Sequence, residues 1–180
     1  QNWNGLPDPA EAAPAVIMRY LSAYGPATPE TFDAWLSRNS NKKSTLRSWF
    51  ASLGEQIVEV RVEGETRYLL AEHEDELAAT RPSRATHLLG AFDQFVLGPG
   101  TKDTHMLAHE HRPLVSKAAG WIAPVLTQGG RITGVWEMDD GNLVVTPFPG
   151  EQAPPSQVLE DAAARLAAVH GSVKVTPRVD

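Results

Sequence analysis

Residues 28–70 read TPETFDAWLSRNSNKKSTLRSWFASLGEQIVEVRVEGETRYLL, and this stretch decides the fold. Thr28, Pro29 and Glu30 form a helix start: an N-cap hydroxyl, a proline at the first helical position and an acid in the first turn. Phe32, Trp35 and Leu36 follow at helical spacing as its inward face. Asn39-Ser40-Asn41 breaks the pattern, and Ser44 opens another helix with Leu46, Trp49, Phe50 and Leu53 inward. Gly54 stops it. Residues 57–62 then alternate in part, Glu63-Gly64-Glu65 turns, and Thr66-Arg67-Tyr68-Leu69-Leu70 returns, which is the pattern of a β-hairpin. Just upstream, Val16, Ile17, Tyr20, Leu21 and Tyr24 mark a helix, with Pro14 in its first turn and Gly25-Pro26 at its end. Three short helices and a hairpin is the order of a winged helix-turn-helix.

Working outward, Pro/Gly/Asn-rich text over residues 1–13 reads as a linker, and residues 14–80 as the winged-helix domain. Residues 72–79 are a short helix, and Arg81-Pro82-Ser83 marks a boundary. Residues 84–180 read as a second α+β domain. In it, the apolar run 87–97 is a strand, Gly98-Pro99-Gly100 a tight turn, and 105–119 partly helical. Strands follow at 122–126, 131–138 and 142–147, joined at Gln128-Gly129-Gly130 and Asp139-Asp140-Gly141. Pro154-Pro155-Ser156 caps a long amphipathic helix running to Val169, and 173–175 is a last strand. The expected fold class is therefore α+β: a winged helix-turn-helix, then a mainly antiparallel, barrel-like β-rich domain with one long C-terminal helix.

The 180 residues carry no cysteine, which excludes disulfides and Cys-ligated zinc. No apolar run approaches the roughly 18–20 residues that cross a bilayer, so no membrane partner is expected. These features favour a cytoplasmic protein, nucleoid-associated if it binds DNA. The chain opens on Gln1 and reads as part of something longer. Net charge is −6, which counts against a polyanion partner. Its distribution argues the other way: between Asp33 and Glu55 there is no acid, while Arg38, Lys42, Lys43 and Arg47 stand there.

Those cations make the leading site. The third helix of a helix-turn-helix enters the major groove, and flanking Lys and Arg bind phosphates. Arg38, Lys42, Lys43, Ser44 and Arg47 are the candidates for contact with double-stranded DNA. A solvated helix face that keeps the chain soluble is the competing reading. In the hairpin, Arg61 and Arg67 are interleaved with Glu59, Glu63 and Glu65, which favours a cross-strand solubility pattern. Asp93 lies in an apolar stretch and needs a partner, for which Arg112 is a candidate. The pair could be a polar binding site, but a structural aspartate is the favoured reading. His105 and His109 have metal-ligand spacing if helical, yet Met106 stands where an H-E-x-x-H motif has its glutamate. Surface histidines, with His111 beside them, are the favoured reading, so no metal and no cofactor is expected. Trp121, Trp136 and Phe148 could stack on bases but read better as core.

Several stretches resemble one actinobacterial family of winged helix DNA-binding domain-containing proteins. They are residues 20–29 (YLSAYGPATP), 92–100 (FDQFVLGPG), 119–125 (AGWIAPV) and 129–136 (GGRITGVW). That family is related to bacterial DNA glycosylases that release alkylated purines and unhook interstrand crosslinks. The resemblance implies tandem winged helices before a β-rich C-terminal domain, with this chain as the C-terminal portion. It also implies a partner domain N-terminal to Gln1. Glycosylase members use a Gln-x-Gln pair to position the attacking water. Here the glutamines are Gln1, Gln56, Gln94, Gln128, Gln152 and Gln157, and no two have that spacing. The catalytic pair is expected upstream of Gln1 or not at all. Three functions stay open: a DNA-contacting part of a repair glycosylase, a non-catalytic protein-interaction module, and a hydrolase built on Asp93 and the histidines.

Overall fold

The computed structural model describes residues 5–139, 142–170 and 177–179. The chain divides into two compact units, one of residues 1–80 with 98–100, the other of 81–97 with 101–180.

In the first unit, α1 (Pro9–Tyr24) begins earlier than the helical periodicity suggests. Asp8 caps it by accepting from the Ala10 amide at 2.8 Å, and Pro9 takes the first helical position. Residues 9–13 are therefore helix rather than linker, and Pro14 lies inside α1. The alanines on either side of Glu11 are strong helix formers and extend the helix beyond its apolar stripe. Next come α2 (Pro29–Ser37), α3 (Lys43–Ala51), β1 (Ile57–Val62), β2 (Glu65–Leu70) and the short α4 (Glu74–Ala79). A reciprocal box at the start of α2 pairs Thr28 with Thr31: each hydroxyl accepts from the other's amide, at 3.1 and 3.0 Å.

β1 and β2 are antiparallel, with Val62 opposite Glu65, so the turn is only Glu63-Gly64. Both turn residues have positive φ, 47° and 91°, as a twisted two-residue hairpin demands. Ala27, between α1 and α2, forms a bridge with Tyr68 through paired bonds of 2.9 and 2.8 Å, tying the helices to the hairpin. The core gathers Ile17, Tyr20, Leu21, Phe32, Leu46, Phe50, Leu53 and Leu70. Leu36 does not join it; it is exposed, as is 41% of Trp35, which packs its ring against Tyr20 at 5.1 Å.

In the second unit, β3 (Thr86–Leu89), β4 (Val125–Gln128), β5 (Arg131–Asp139), β6 (Asn142–Pro147) and β7 (Pro177–Val179) make one sheet in that spatial order. All pairings are antiparallel except β6 with β7, which is parallel. β3 and β7 are its two edges, so the sheet is open and the expected barrel is not formed. The proposed strand at 173–175 and the turn residues 140 and 141 lie outside the described residues.

The helix α7 (Ser156–His170) covers one face of the sheet, where Leu159, Ala162 and Ala163 meet Leu88, Leu126, Trp136, Leu143 and Val145. The segment between β3 and β4 packs on the alternate side chains. It holds two single-turn helices, α5 (Gln94–Leu97) and α6 (Arg112–Val115). The apolar run 87–97 is thus not one strand. Phe92 has φ of 58° and turns the chain, after which α5 begins. The strand expected at 122–126 also shifts: Ile122 only bridges Ser116, and β4 starts past Pro124, which has no amide to give a ladder.

Candidate nucleic-acid interface

The exposed face of α3 follows from its own spacing. Leu46 and Phe50 are each 3% exposed, with Trp49 packed beside them. Residues offset by 3.6 per turn leave Lys43, Ser44, Arg47 and Ser48 on the opposite, exposed side. Phe50 anchors this helix through Phe32 and Tyr68, with ring centroids at 5.8 and 5.2 Å. Arg38 and Lys42 are exposed as well. None of Arg38, Lys42, Lys43 or Arg47 has a side-chain hydrogen bond or ion pair with a described residue.

The start of α3 breaks the usual rule for helix ends. Lys42 is its N-cap and caps no amide with its side chain, and no acid stands in the first turn. Two lysines therefore add to the positive end of the helix dipole, an arrangement that costs about 0.3–1 kcal/mol per exposed cation. The same arrangement favours an anion, because the first-turn amides point outward without partners.

A buried carboxylate holds the turn between α2 and α3. Asp33 is 2% exposed. Its Oδ1 accepts from Asn41 Nδ2 at 2.7 Å and from the Ser37 hydroxyl. Ser37 Oγ also accepts from Asn41 Nδ2 at 3.0 Å and from the Ser40 amide at 3.1 Å. Arg38 and Asn39 run left-handed here, at φ of 57° and 64°, a costly geometry for two side-chain-bearing residues in a row. Asp33, Ser37 and Asn41 offset that cost and fix where Lys42 and Lys43 stand. Sequence reasoning missed this role for Asp33. Its signal is a carboxylate beside the buried Phe32, with a hydroxyl four residues on and an amide eight on.

The hairpin arginines are otherwise occupied. Arg67 is 8% exposed, and its Nε meets Glu65 at 2.8 Å. Arg61 donates to Thr66 Oγ1 at 3.2 Å. Tyr68 donates its hydroxyl to Glu59 at 3.2 Å. Burial, then that bond and the Glu59 charge, with Glu30 farther off, push the phenol above its ordinary value.

The remaining candidates separate. Asp93 stands before α5, where Oδ1 accepts from the Phe95 amide at 2.8 Å and its carbonyl accepts from Val96 and Leu97, each at 3.0 Å. It is a capping residue, not a strand carboxylate, and it does not pair with Arg112. Arg112 instead has a buried Nε with no partner among the described residues. A buried donor left in that state costs about 1–3 kcal/mol. His105 lies in a turn and meets Asp103 at 3.1 Å, whereas His109 starts a separate 3-10 turn, so the two share no helix face. His111 is buried against Phe148, with centroids 4.6 Å apart. Among the described residues no group of three or more metal-ligating side chains occurs. Trp136 and Phe148 are core, and Trp136 donates to the Leu89 carbonyl at 2.9 Å. Trp121 is not core: it is 50% exposed and stands edge-to-face with Phe92 at 5.0 Å.

This architecture is shared with Streptomyces sahachiroi DNA glycosylase AlkZ, whose solved structure matches at a TM-score of 0.95 and 53% identity. The match covers 99% of this chain and 48% of that one. The fold is thus the mixed α/β architecture of that structure, its strands antiparallel except for β6 with β7. A family model described as DNA glycosylase AlkZ-like matches residues 1–169. The chain belongs to the AlkZ-like DNA glycosylase family. It is also 53% identical over 178 residues to the Interstrand DNA cross-link repair glycosylase of Streptomyces sahachiroi. It spans about half the length of that relative, 48%. No described helix is long and apolar enough to cross a membrane.

Proposed function

We propose that this chain is the DNA-gripping portion of a crosslink-repair glycosylase, acting on double-stranded DNA in the cytoplasm, at the nucleoid. In this reading the first unit is a winged helix, with α3 as the element laid against the duplex and β1–β2 as the wing. The Ala27–Tyr68 bridge supports it, since it makes the hairpin continuous with the helical part. Arg38, Lys42, Lys43 and Arg47 neutralise backbone phosphates, and the Ser44 hydroxyl donates to one. The observation that carries the proposal is a cluster of four exposed cations, Lys43 and Arg47 on α3, Lys42 at its cap and Arg38 in the turn before it; none has an ion pair with a described residue, and the buried Asp33 holds that turn. Base excision is assigned to none of these residues. A glycosylase flips a damaged base into a pocket, and the Gln-x-Gln pair that the family resemblance implies for positioning water does not occur in this sequence.

The test is a triple substitution, Lys42→Ala, Lys43→Ala and Arg47→Ala, with duplex binding followed by fluorescence anisotropy across salt concentrations. Each phosphate contact adds about 0.9 to the slope of log K against log salt, so the triple variant loses roughly two to three units of slope. Unchanged affinity and slope would remove the proposal.

A second reading has one observation in its favour. An apolar groove of about 430 Å3 runs along α1, lined by Val16, Tyr20, Ala23, Tyr24 and Trp35 among others. A protein surface docked there would make the unit an interaction module. A wild-type chain that binds no duplex, with the triple α3 variant indistinguishable from it, favours this alternative.

A further inference from the structure

The second unit contains a pocket of about 210 Å3 that the preceding reading does not use. It is lined by Thr101, Lys102, Thr104, Leu107, His109 and Arg112. Leu107 is buried and supplies the apolar part. Every other lining side chain can donate a hydrogen bond, and two carry fixed positive charge. No carboxylate lines it. Two acids adjoin the lining residues in sequence: Asp103 is 9% exposed and is taken up by the His105 amide at 2.9 Å and by the His105 ring at 3.1 Å, and Glu110 is exposed and is not among the lining residues. Arg131 stands nearby, donating to the Thr104 carbonyl at 3.4 Å.

Arg112 decides what the pocket is for. Its Nε is out of contact with solvent and has no hydrogen-bond partner among the described residues. Its guanidinium makes no ion pair with a described residue either. Arg112 as a residue is only partly buried and lines the cavity, while its enclosed Nε is left unsatisfied by the described residues; buried donors are almost always satisfied in folded proteins, so this side chain points to an absent acceptor. The fitting acceptor is anionic and offers several oxygens to a planar fork, an ammonium and two hydroxyls. The volume falls below the roughly 300–1,000 Å3 of sites that take drug-sized ligands, which suits a single small group.

We propose that this pocket binds a phosphate group, and that the phosphate is one of the DNA backbone. Lys102 and Arg112 carry the charge, and Thr101, Thr104 and His109 complete the donor set. The preference for phosphate stands on the pocket alone; its source in DNA rests on the reading of the chain as a DNA-gripping protein.

Two measurements on the full chain separate these claims. Inorganic phosphate is titrated while the Arg112 Nε–H resonance is followed by NMR. It is expected to shift saturably, and the shift to weaken in Lys102→Ala, whose side chain is exposed. Duplex binding is then compared between the wild-type chain, Lys102→Ala and His109→Ala. Lys102→Ala is expected to weaken binding about three- to tenfold and to reduce the salt slope by about one. Absence of the resonance shift overturns the pocket. A shift with duplex affinity unaltered in Lys102→Ala overturns the DNA source and leaves a site for free phosphate. A wild-type chain that binds no duplex, yet shows the shift, overturns the DNA-gripping reading and keeps the pocket.

Discussion

Asn41 Nδ2 donates to Asp33 Oδ1 at 2.7 Å, joining the end of the turn that precedes α3 to the interior of α2. This one bond spans two consecutive left-handed residues, Arg38 and Asn39, and sets the direction in which the cationic helix leaves the turn. Asn41→Ala should leave Asp33 buried with one donor fewer. Urea unfolding is expected to show a loss of about 1–3 kcal/mol. Duplex affinity should fall too, although no charge is removed. A variant with wild-type stability would show that the turn holds itself.

The helix and the hairpin are expected to differ in what they give to DNA. Arg47→Ala should lower the salt slope of duplex binding by about one unit. Arg61→Ala should leave it where it was, because Arg61 is engaged with Thr66. Equal effects at both positions would mean that the hairpin grips as well.

Phe50 holds α3 down, wedged between Phe32 and Tyr68. Removing a buried aromatic of this kind costs about 3–5 kcal/mol. Phe50→Ala is expected to reach that range in chemical denaturation, and Phe50→Leu to keep most of the stability. A loss under 1 kcal/mol in the alanine variant contradicts this packing account.

The raised ionisation of Tyr68 gives a signed pH dependence. Its folded value lies above the ordinary 10.0, so between the two values the folded chain holds a proton that the unfolded chain has lost. Its contribution is complete below about pH 10 and is lost as pH rises further. Tyr68→Phe should therefore flatten the alkaline fall in stability seen by thermal melts. An identical fall in both proteins would assign the effect elsewhere.

The helices, the hairpin and α7 were legible because each combines a period with end signals. Thr28-Pro29 and Glu63-Gly64 are such signals, and they name their turns by mechanism. The run 87–97 misled because an unbroken apolar string has no period; Phe92 turning left-handed is invisible in composition. Trp121 reads as core by its type, yet its exposure depends on the chain after residue 115 being folded into short turns. The cations of α3 were visible as an acid-free stretch. Asp33 was not, because its value arises only when Ser37 and Asn41 are brought onto it. The barrel failed for a related reason: strand count says nothing of whether the edges meet.

Lys42 at the head of α3 has a consequence for anyone who wants a hardier version of this chain. Ser or Asp at that position would supply the missing cap and raise stability by about 0.5–2 kcal/mol. Routine thermostabilisation would make that exchange early, since it looks like a free repair. Here it would also remove a cation from the face proposed to meet the phosphates. The local weakness and the grip are one trait, and selection for toughness alone would erode the other.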